Sequence, residues 1–215
     1  LSEEVLSQQP QEIQRFLDDR SAPYQTLPRD EMIAETARRL DQDQAVVGWF
    51  QGRLEWGPRS LGSRSILADS RNPENWKRVN LKIKFRESFR PFAPTCLVER
   101  VGDFFELDRP SPYMLLVAPV RSERCRAGAA GEPLPLRERI HAVRSDVPAI
   151  THVDGTARVQ TVRREENERY YDLITAFGEI TGVPVVLNTS FNVRGEPIVT
   201  TPADAVRCFS GTDID

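Results

Sequence analysis

The stretch "EENERYYDLITAFGEITGVPVVLNTSFN", residues 165–192, carries a helix signal followed directly by a strand signal. Apolar side chains recur at helical spacing in its first half, at Tyr170, Leu173, Ile174, Phe177 and Ile180. That periodicity predicts an amphipathic helix, and Gly182 is the residue type that commonly ends one. The apolar residues that follow predict a buried strand with polar residues, beginning at Asn188, at its carboxyl end. An amphipathic helix followed closely by a buried strand is typical of a layered α/β domain.

The rest of the chain repeats this mixture of helices and strands. Helix signals mark four further segments: 1–20 with a break or restart at Pro10, 29–41, 74–84, and the residues after the cap Thr201. Strand signals mark four more: 45–50, 94–100, 112–120 and, as two strands around an Asp-Gly turn, 148–162. Residues 121–145 are rich in small residues, prolines and arginines, which indicates a long loop. We therefore predict an α/β domain over 45–215, with a helical extension or interdomain segment over 1–44.

Composition excludes several classes of function. The 215 residues carry a formal net charge of −3, which argues against a dedicated nucleic-acid-binding protein. Apolar runs stay well below 18 residues, so no membrane span is expected. The three distant cysteines and two histidines do not form a zinc motif. An odd number of separated cysteines is what a protein of the reducing cytoplasm would carry. Because the chain begins with Leu1 and has no signal-like start, we expect it to be part of a longer or processed protein.

Cationic side chains are concentrated in two short segments. The loop "WGPRSLGSRS", residues 56–65, contains Arg59 and Arg64 together with three serines. The segment "KIKFRESFRPF", residues 82–92, contains four cations: Lys82, Lys84, Arg86 and Arg90. On a strand, Lys84, Arg86 and Arg90 would share one face and would repel each other unless an anion lay among them. A solvated charged surface, or a helix that pairs Lys82 with Arg86, is an equally open interpretation.

Two polar clusters follow predicted strands or turns. The first comprises Asn188, Thr189, Ser190 and Asn192, at a strand end where α/β proteins often bind ligands. A simple Asx or Ser turn would explain it as well. The second comprises His152, Asp154 and Arg158. His152 could be a structural hydrogen-bonding residue, and Arg158 could pair across strands with Glu165 or Glu166. The sequence lacks both common glycine-rich phosphate motifs, so phosphate recognition would depend on side chains such as arginine.

Four motifs together resemble a known family. They are "EWGPRSLGSRSILAD" (55–69), "IKFRESFRPFAP" (83–94), "THVDGTARVQTV" (151–162) and "GVPVVLNTSFNVRGEPIVTTPADAV" (182–206). Their order resembles the C-terminal half of the antibiotic and nodulation-factor O-carbamoyltransferases, which act in tobramycin, cephamycin and ansamycin biosynthesis. The resemblance implies a YrdC-like fold, with a twisted, mostly mixed sheet flanked by helices around a positively charged cavity. The YrdC signature, KxR followed at a distance by SxN, corresponds here to Lys84-Phe85-Arg86 and Ser190-Phe191-Asn192.

The resemblance also implies an activity. Carbamoyl phosphate loses its phosphate, and the resulting carbamate attacks the α-phosphate of ATP to give carbamoyl adenylate and pyrophosphate. Mg²⁺ is expected to accompany ATP, although no acidic cluster in the chain marks a dedicated metal site. A metal-dependent N-terminal transferase domain, outside this chain, would pass the carbamoyl group to a hydroxyl of a small natural product. Two alternatives are a module that binds these ligands without turnover and a YrdC-like RNA-binding domain.

The same resemblance assigns roles to individual residues. The expected carbamoyl-phosphate site consists of Arg59, Lys84, Arg90, Arg158 and Ser190. The expected nucleotide-binding residues are Arg86 and Asn192, with Asn188 and His152 near the site. Loop 121–145 is expected to act as a lid that excludes water, because carbamate is short-lived in water.

Overall fold

The computed structural model describes residues 10–126, 135, 138 and 142–215. Its centre is a six-stranded mixed sheet with the strand order β1-β2-β6-β3-β5-β4. The strands are β1 Val47–Phe50, β2 Arg64–Asp69, β3 Ala93–Leu97, β4 Leu116–Pro119, β5 Thr156–Val162 and β6 Val185–Ser190. Neighbouring strands are antiparallel except for β3 and β5, which are parallel. The predicted α/β class with a mixed sheet is therefore confirmed.

The helices lie around this sheet. They are α1 Pro10–Asp18, α2 Arg29–Asp41, α3 Pro73–Arg78, α4 Glu168–Thr181 and α5 Pro202–Ser210. A π-helical turn, Val79–Ile83, extends α3, and short 3-10 turns occupy Val98–Asp103, Ser122–Arg124 and Pro148–Ile150. None of the described helices is both long enough and apolar enough to cross a membrane.

Helix α4 forms where the sequence predicts it. The side chain of Asn167 caps its first turn by accepting a hydrogen bond from the backbone N–H of Tyr170. The helix ends at Gly182, whose φ of 72° lies in the left-handed region that glycine adopts without strain. The predicted start of α5 is also confirmed, because Thr201 and Asp204 form a reciprocal capping box.

Alternation along the strands divides the core into two layers. On β6, Val185 and Leu187 point to one face and Val186 to the other. Helices α2 and α4 cover the Val186 face, which we call the helix face. It holds three buried residues of α2 and four of α4, namely Ile33, Ala37 and Leu40 from α2 and Tyr170, Leu173, Ile174 and Phe177 from α4. The same alternation places Asn188, near the carboxyl end of β6, and Arg158, near the amino end of β5, on the helix face.

One open interpretation is excluded by the structure, and one local prediction is wrong. Residues 84–92 do not form a strand that aligns Lys84, Arg86 and Arg90, because Phe85 has a φ of 46°, which an extended strand cannot contain, and Pro91 has no N–H to donate. Of the two strands predicted around Asp154 and Gly155, only β5 forms. Its partner segment is instead the 3-10 turn Pro148–Ile150 followed by irregular chain, and the edge strand β4 pairs with β5.

Two predicted segments are only partly described. Helix α1 begins at Pro10, and residues 1–9 of the predicted N-terminal helix lie outside the described residues. Most of the predicted lid 121–145 also lies outside them. At its base, Cys125 and Ser145 form an isolated antiparallel bridge that brings the two ends of the loop together.

Candidate functional site

Three arginines line a small cavity at the polar end of the helix face. The cavity has a volume of about 120 Å³, and we call it the arginine cavity. Its polar lining consists of Arg59, Ser60, Arg86, Arg158, Asn188, Thr189 and Ser190. Among the described residues, no carboxylate lines it. A small concave site with three guanidinium groups and no internal anion suits a small anionic ligand.

Four buried polar atoms on residues that line this cavity have no hydrogen-bond partner among the described residues. They are Arg59 Nε, Ser60 Oγ, Arg158 Nε and Asn188 Oδ1. A buried polar atom without a partner costs about 1–3 kcal/mol, so four in one place mark groups that a bound ligand or ordered water would satisfy. Two of them are donors, one is an acceptor, and the hydroxyl can be either. A ligand that combines anionic oxygens with an N–H group would satisfy all four.

The amide of Asn188 is held in one orientation. Its Nδ2 donates to Ser60 O at 3.2 Å, Thr95 Oγ1 at 3.1 Å and Gln160 Oε1 at 2.8 Å. Because Gln160 Oε1 and Ser60 O can only accept, the nitrogen of Asn188 must face them. This leaves Oδ1 as the free acceptor in the cavity.

Electrostatics in the arginine cavity are unfavourable without an anion. Burial lowers the pKa of Arg158, and the nearby charge of Arg59 lowers it further. Burial also lowers the pKa of Arg86, with a second contribution from the charge of Arg90. Arg158 forms no salt bridge with Glu165 or Glu166, so the cross-strand ion pair considered for it is wrong. A bound anion would offset this repulsion between like charges.

A second cavity adjoins the first. It has a volume of about 210 Å³, shares Arg86 and Ser190 with the arginine cavity, and also contains Lys84, Arg90, Asn192 and Arg194. Arg90 and Arg194 approach the same carboxylate of Glu87, at 3.1 Å and 3.9 Å, and both remain largely exposed. The fold thus brings the cations of four separate sequence segments into two contiguous hollows.

Lys84 joins the two halves of the KxR and SxN signature through direct contacts. Its ammonium is buried and donates to Ser190 O, to Asn192 O at 2.9 Å and to Asn192 Oδ1 at 2.7 Å. Burial, followed by the charge of Arg86, lowers the pKa of Lys84 to about 7. Lys84 therefore points into the turn after β6 and not along a row with Arg86 and Arg90.

The two arginines of loop 56–65 have different environments. Arg64 is fully buried and donates from Nη1 to Gln51 O at 2.7 Å and from Nη2 to Gly52 O at 3.2 Å. Its guanidinium stacks on Phe50 at 3.6 Å, and burial lowers its pKa to about 10. Arg64 thus fixes the backbone after β1, whereas Arg59 lines the arginine cavity.

The comparisons with known proteins now identify the family. Residues 37–215 match the family model described as carbamoyltransferase C-terminus. The chain belongs to this carbamoyltransferase family. Nodulation protein NolO of Bradyrhizobium diazoefficiens is 47% identical over 192 residues, which cover 88% of this chain and 32% of NolO. The 3'-hydroxymethylcephem-O-carbamoyltransferase of Streptomyces clavuligerus is 36% identical over 186 residues, covering 86% of this chain and 31% of that protein.

This carbamoyltransferase domain spans only about a third of the length of those two relatives. Among solved structures, full-length HypF in its phosphate- and nucleotide-bound form aligns with a TM-score of 0.49 at 17% identity, covering 85% of this chain and 20% of that one. The resemblance to the O-carbamoyltransferase family expected from the sequence is confirmed.

The structure separates one expected residue of the carbamoyltransferase domain from the others. His152 lines a different cavity of about 110 Å³, beside Trp76 and Phe89. Its Nδ1 lies 3.0 Å from Thr156 Oγ1, and burial lowers its pKa. The eight other expected site residues line the arginine cavity, the second cavity or both: Arg59, Lys84, Arg86, Arg90, Arg158, Asn188, Ser190 and Asn192.

Sequence reasoning did not assign a ligand-binding role to two residues of these cavities. Ser60 Oγ is one of the four unpartnered atoms, and Arg194 contributes a further cation to the second cavity. Arg194 could have been found from its place just after the SxN turn, in "FNVRGEP". No sequence signal distinguishes Ser60 from Ser63, because only the folded loop decides which hydroxyl faces the cavity.

Proposed function

We propose that this domain activates the carbamoyl group by converting carbamoyl phosphate and ATP to carbamoyl adenylate and pyrophosphate. The four unpartnered buried atoms of the arginine cavity carry the proposal. Carbamoyl phosphate has anionic oxygens for Arg59 Nε and Arg158 Nε. It also has an amide N–H for Asn188 Oδ1. A fully ionised phosphate or pyrophosphate has no donor and would leave Asn188 Oδ1 without a partner.

The second cavity would hold the phosphates of ATP. Arg86, Arg90 and Arg194 supply charge there, and Lys84 keeps the SxN turn in place. We therefore move Lys84 and Arg90 from the carbamoyl-phosphate site expected from the sequence to the second cavity, because they line only that cavity. Mg²⁺ would accompany the nucleotide and be held mainly by its phosphates and water, because the lining of both cavities is cationic and lacks the carboxylates that Mg²⁺ prefers.

The reaction would proceed in two steps. Water first cleaves carbamoyl phosphate in the arginine cavity, which gives carbamate and inorganic phosphate. A carbamate oxygen then attacks the α-phosphate of ATP, and the bond from that phosphorus to the bridging oxygen of pyrophosphate breaks. Arg86 and Ser190 line both cavities, so they can contact both reactants. The fixed guanidinium groups stabilise charge that develops on phosphate oxygens, which is the main contribution a protein makes to such transfers.

Transfer of the carbamoyl group to a hydroxyl would require the remainder of a longer protein. We propose that this remainder is an N-terminal, metal-dependent transferase domain that accepts a small natural product. We assign the reaction to the cytoplasm, since the three cysteines are free thiols. The predicted boundary between an extension over 1–44 and a domain over 45–215 stays a proposal.

The test is pyrophosphate release from ATP that depends on carbamoyl phosphate. Arg158→Ala should lower the rate about a hundredfold, the usual effect of removing one preorganised charge donor from a reacting site. Arg109→Ala is the matched control, because Arg109 is exposed and pairs only with its neighbour Asp108 among the described residues. An Arg158→Ala variant that folds and retains the full rate would contradict the proposal. Calorimetric binding of both ligands without pyrophosphate release would indicate a binding module instead.

A further inference from the structure

Glu55 gathers the backbone of loop 56–65 around one carboxylate oxygen. Its Oε1 accepts hydrogen bonds from the backbone N–H groups of Leu61 at 2.7 Å, Ser63 at 2.6 Å and Arg64 at 3.3 Å. Gly62 N–H, which lies between them, donates instead to Ser65 Oγ at 3.1 Å. Nearby backbone N–H groups that converge on one point resemble an anion-binding nest. Here the anion is a side chain of the same loop, so these N–H groups are not free to bind a substrate phosphate.

A carbonyl group at the centre of the loop is also held by side chains of the neighbouring strand segment. Gly62 O accepts from Trp49 Nε1 at 3.0 Å and from Gln51 Nε2 at 2.7 Å. Gly62 itself has a φ of 109°, and an added Cβ would lie 2.2 Å from the ring of Tyr170. The loop is therefore fixed at its centre, and residues on either side of Gly62 have little freedom.

The residues fixed by these contacts, 61–64, directly follow two residues that line the arginine cavity. Ser60 O accepts from Asn188 Nδ2 at 3.2 Å, one residue before the three N–H groups that Glu55 holds. Arg59 and Ser60, which precede residues 61–64, both line the cavity, and Arg59 Nε and Ser60 Oγ are two of the unpartnered atoms. The orientation of both side chains thus depends on the backbone that Glu55 fixes.

We propose that Glu55 is a positioning residue for carbamoyl-phosphate recognition, acting through Arg59 without touching the ligand. This inference rests on the proposed function. Glu55 lines a separate cavity of about 280 Å³ together with Leu61, Tyr113 and Glu166, and it does not line the arginine cavity. Its carboxylate would therefore influence binding only through the loop.

The experiment is a double-mutant cycle on the affinity for carbamoyl phosphate, measured by calorimetry. Glu55→Ala should weaken binding about tenfold in the otherwise unchanged protein, and less than about twofold when Arg59→Ala is already present, because coupled residues are non-additive. Glu166→Gln is the matched control, since it removes one negative charge from the same outer cavity without affecting the loop N–H groups. If Glu55→Ala does not fold, Glu55→Gln, which keeps a neutral and weaker acceptor for the same N–H groups, should show a smaller coupling to Arg59→Ala of the same sign.

Hydrogen exchange supplies an independent measurement. Loss of the carboxylate should accelerate amide exchange at Leu61, Ser63 and Arg64 but not along β6. Additive effects of Glu55→Ala and Arg59→Ala would overturn the inference while the proposed function stands. Absence of carbamoyl-phosphate binding by the unmodified protein would instead overturn the proposed function, and the role of Glu55 with it.

Discussion

The buried ammonium of Lys84 predicts a specific dependence of stability on pH. Lys84 is only 4% exposed, and its pKa falls from 10.5 to about 7 in the folded protein, mainly through burial. Between these two values the unfolded chain binds a proton that the folded chain does not. Unfolding therefore takes up a proton in this range, and the free energy of unfolding rises as the pH rises. Below pH 7 both states are protonated and the penalty is fully present.

The size of the effect follows from the pKa difference. Each pH unit inside the range contributes about 1.4 kcal/mol, which gives about 4–5 kcal/mol between pH 7 and 10.5. Replacing Lys84 by methionine removes the titrating group but also removes one of the two donors to Asn192 Oδ1, the other being Ser190 Oγ at 2.7 Å. That second loss does not depend on pH, so it shifts the stability curve without changing its slope.

The assay is urea unfolding of the wild type and Lys84→Met at pH 8 and pH 9. Both pH values lie within the range, so the wild type should gain about 1.4 kcal/mol relative to the variant between them. Lys77→Met is the control, because Lys77 is substantially exposed and pairs with Glu74. Titration of groups that do not interact with Lys84 is common to all three proteins and cancels in the comparison. Parallel curves for the wild type and Lys84→Met would refute the reasoning.

Two further predictions concern the loop that carries Arg59. Gly62→Ala should destabilise the protein by about 3 kcal/mol, because its Cβ would enter the ring of Tyr170 at a positive φ, whereas Gly102→Ala, with nothing within 4 Å, should have little effect. Equal urea midpoints for the two variants would contradict this. Arg64→Lys should lower stability by about 2 kcal/mol despite keeping the charge, because an ammonium cannot reproduce the paired bonds and the stacking on Phe50. Thermal unfolding measures that loss, and an unchanged midpoint would show that the stacking contributes nothing.

Local patterns in the sequence predicted the elements of the fold well. The apolar spacing around Leu173 and the stop at Gly182 set helix α4, since both depend only on residues a few positions apart. For segment 84–92 the same local patterns left a strand and a helix equally open. The structure forms neither through this segment, because Phe85 turns the chain through a positive φ and Lys84 is buried.

The sequence by itself determined which residue types are present for anion chemistry, the α/β class and most helix and strand positions. It also carried the four motifs that place the chain in its family. The tertiary structure alone decided which of those side chains meet. Lys84 and Ser190 are 106 residues apart in the chain, and Asn188 and Ser60 are 128 apart. No local periodicity encodes such pairs. They form only when packing of both sheet faces fixes the strand order, which brings β6 between β2 and β3 and closes the cavity.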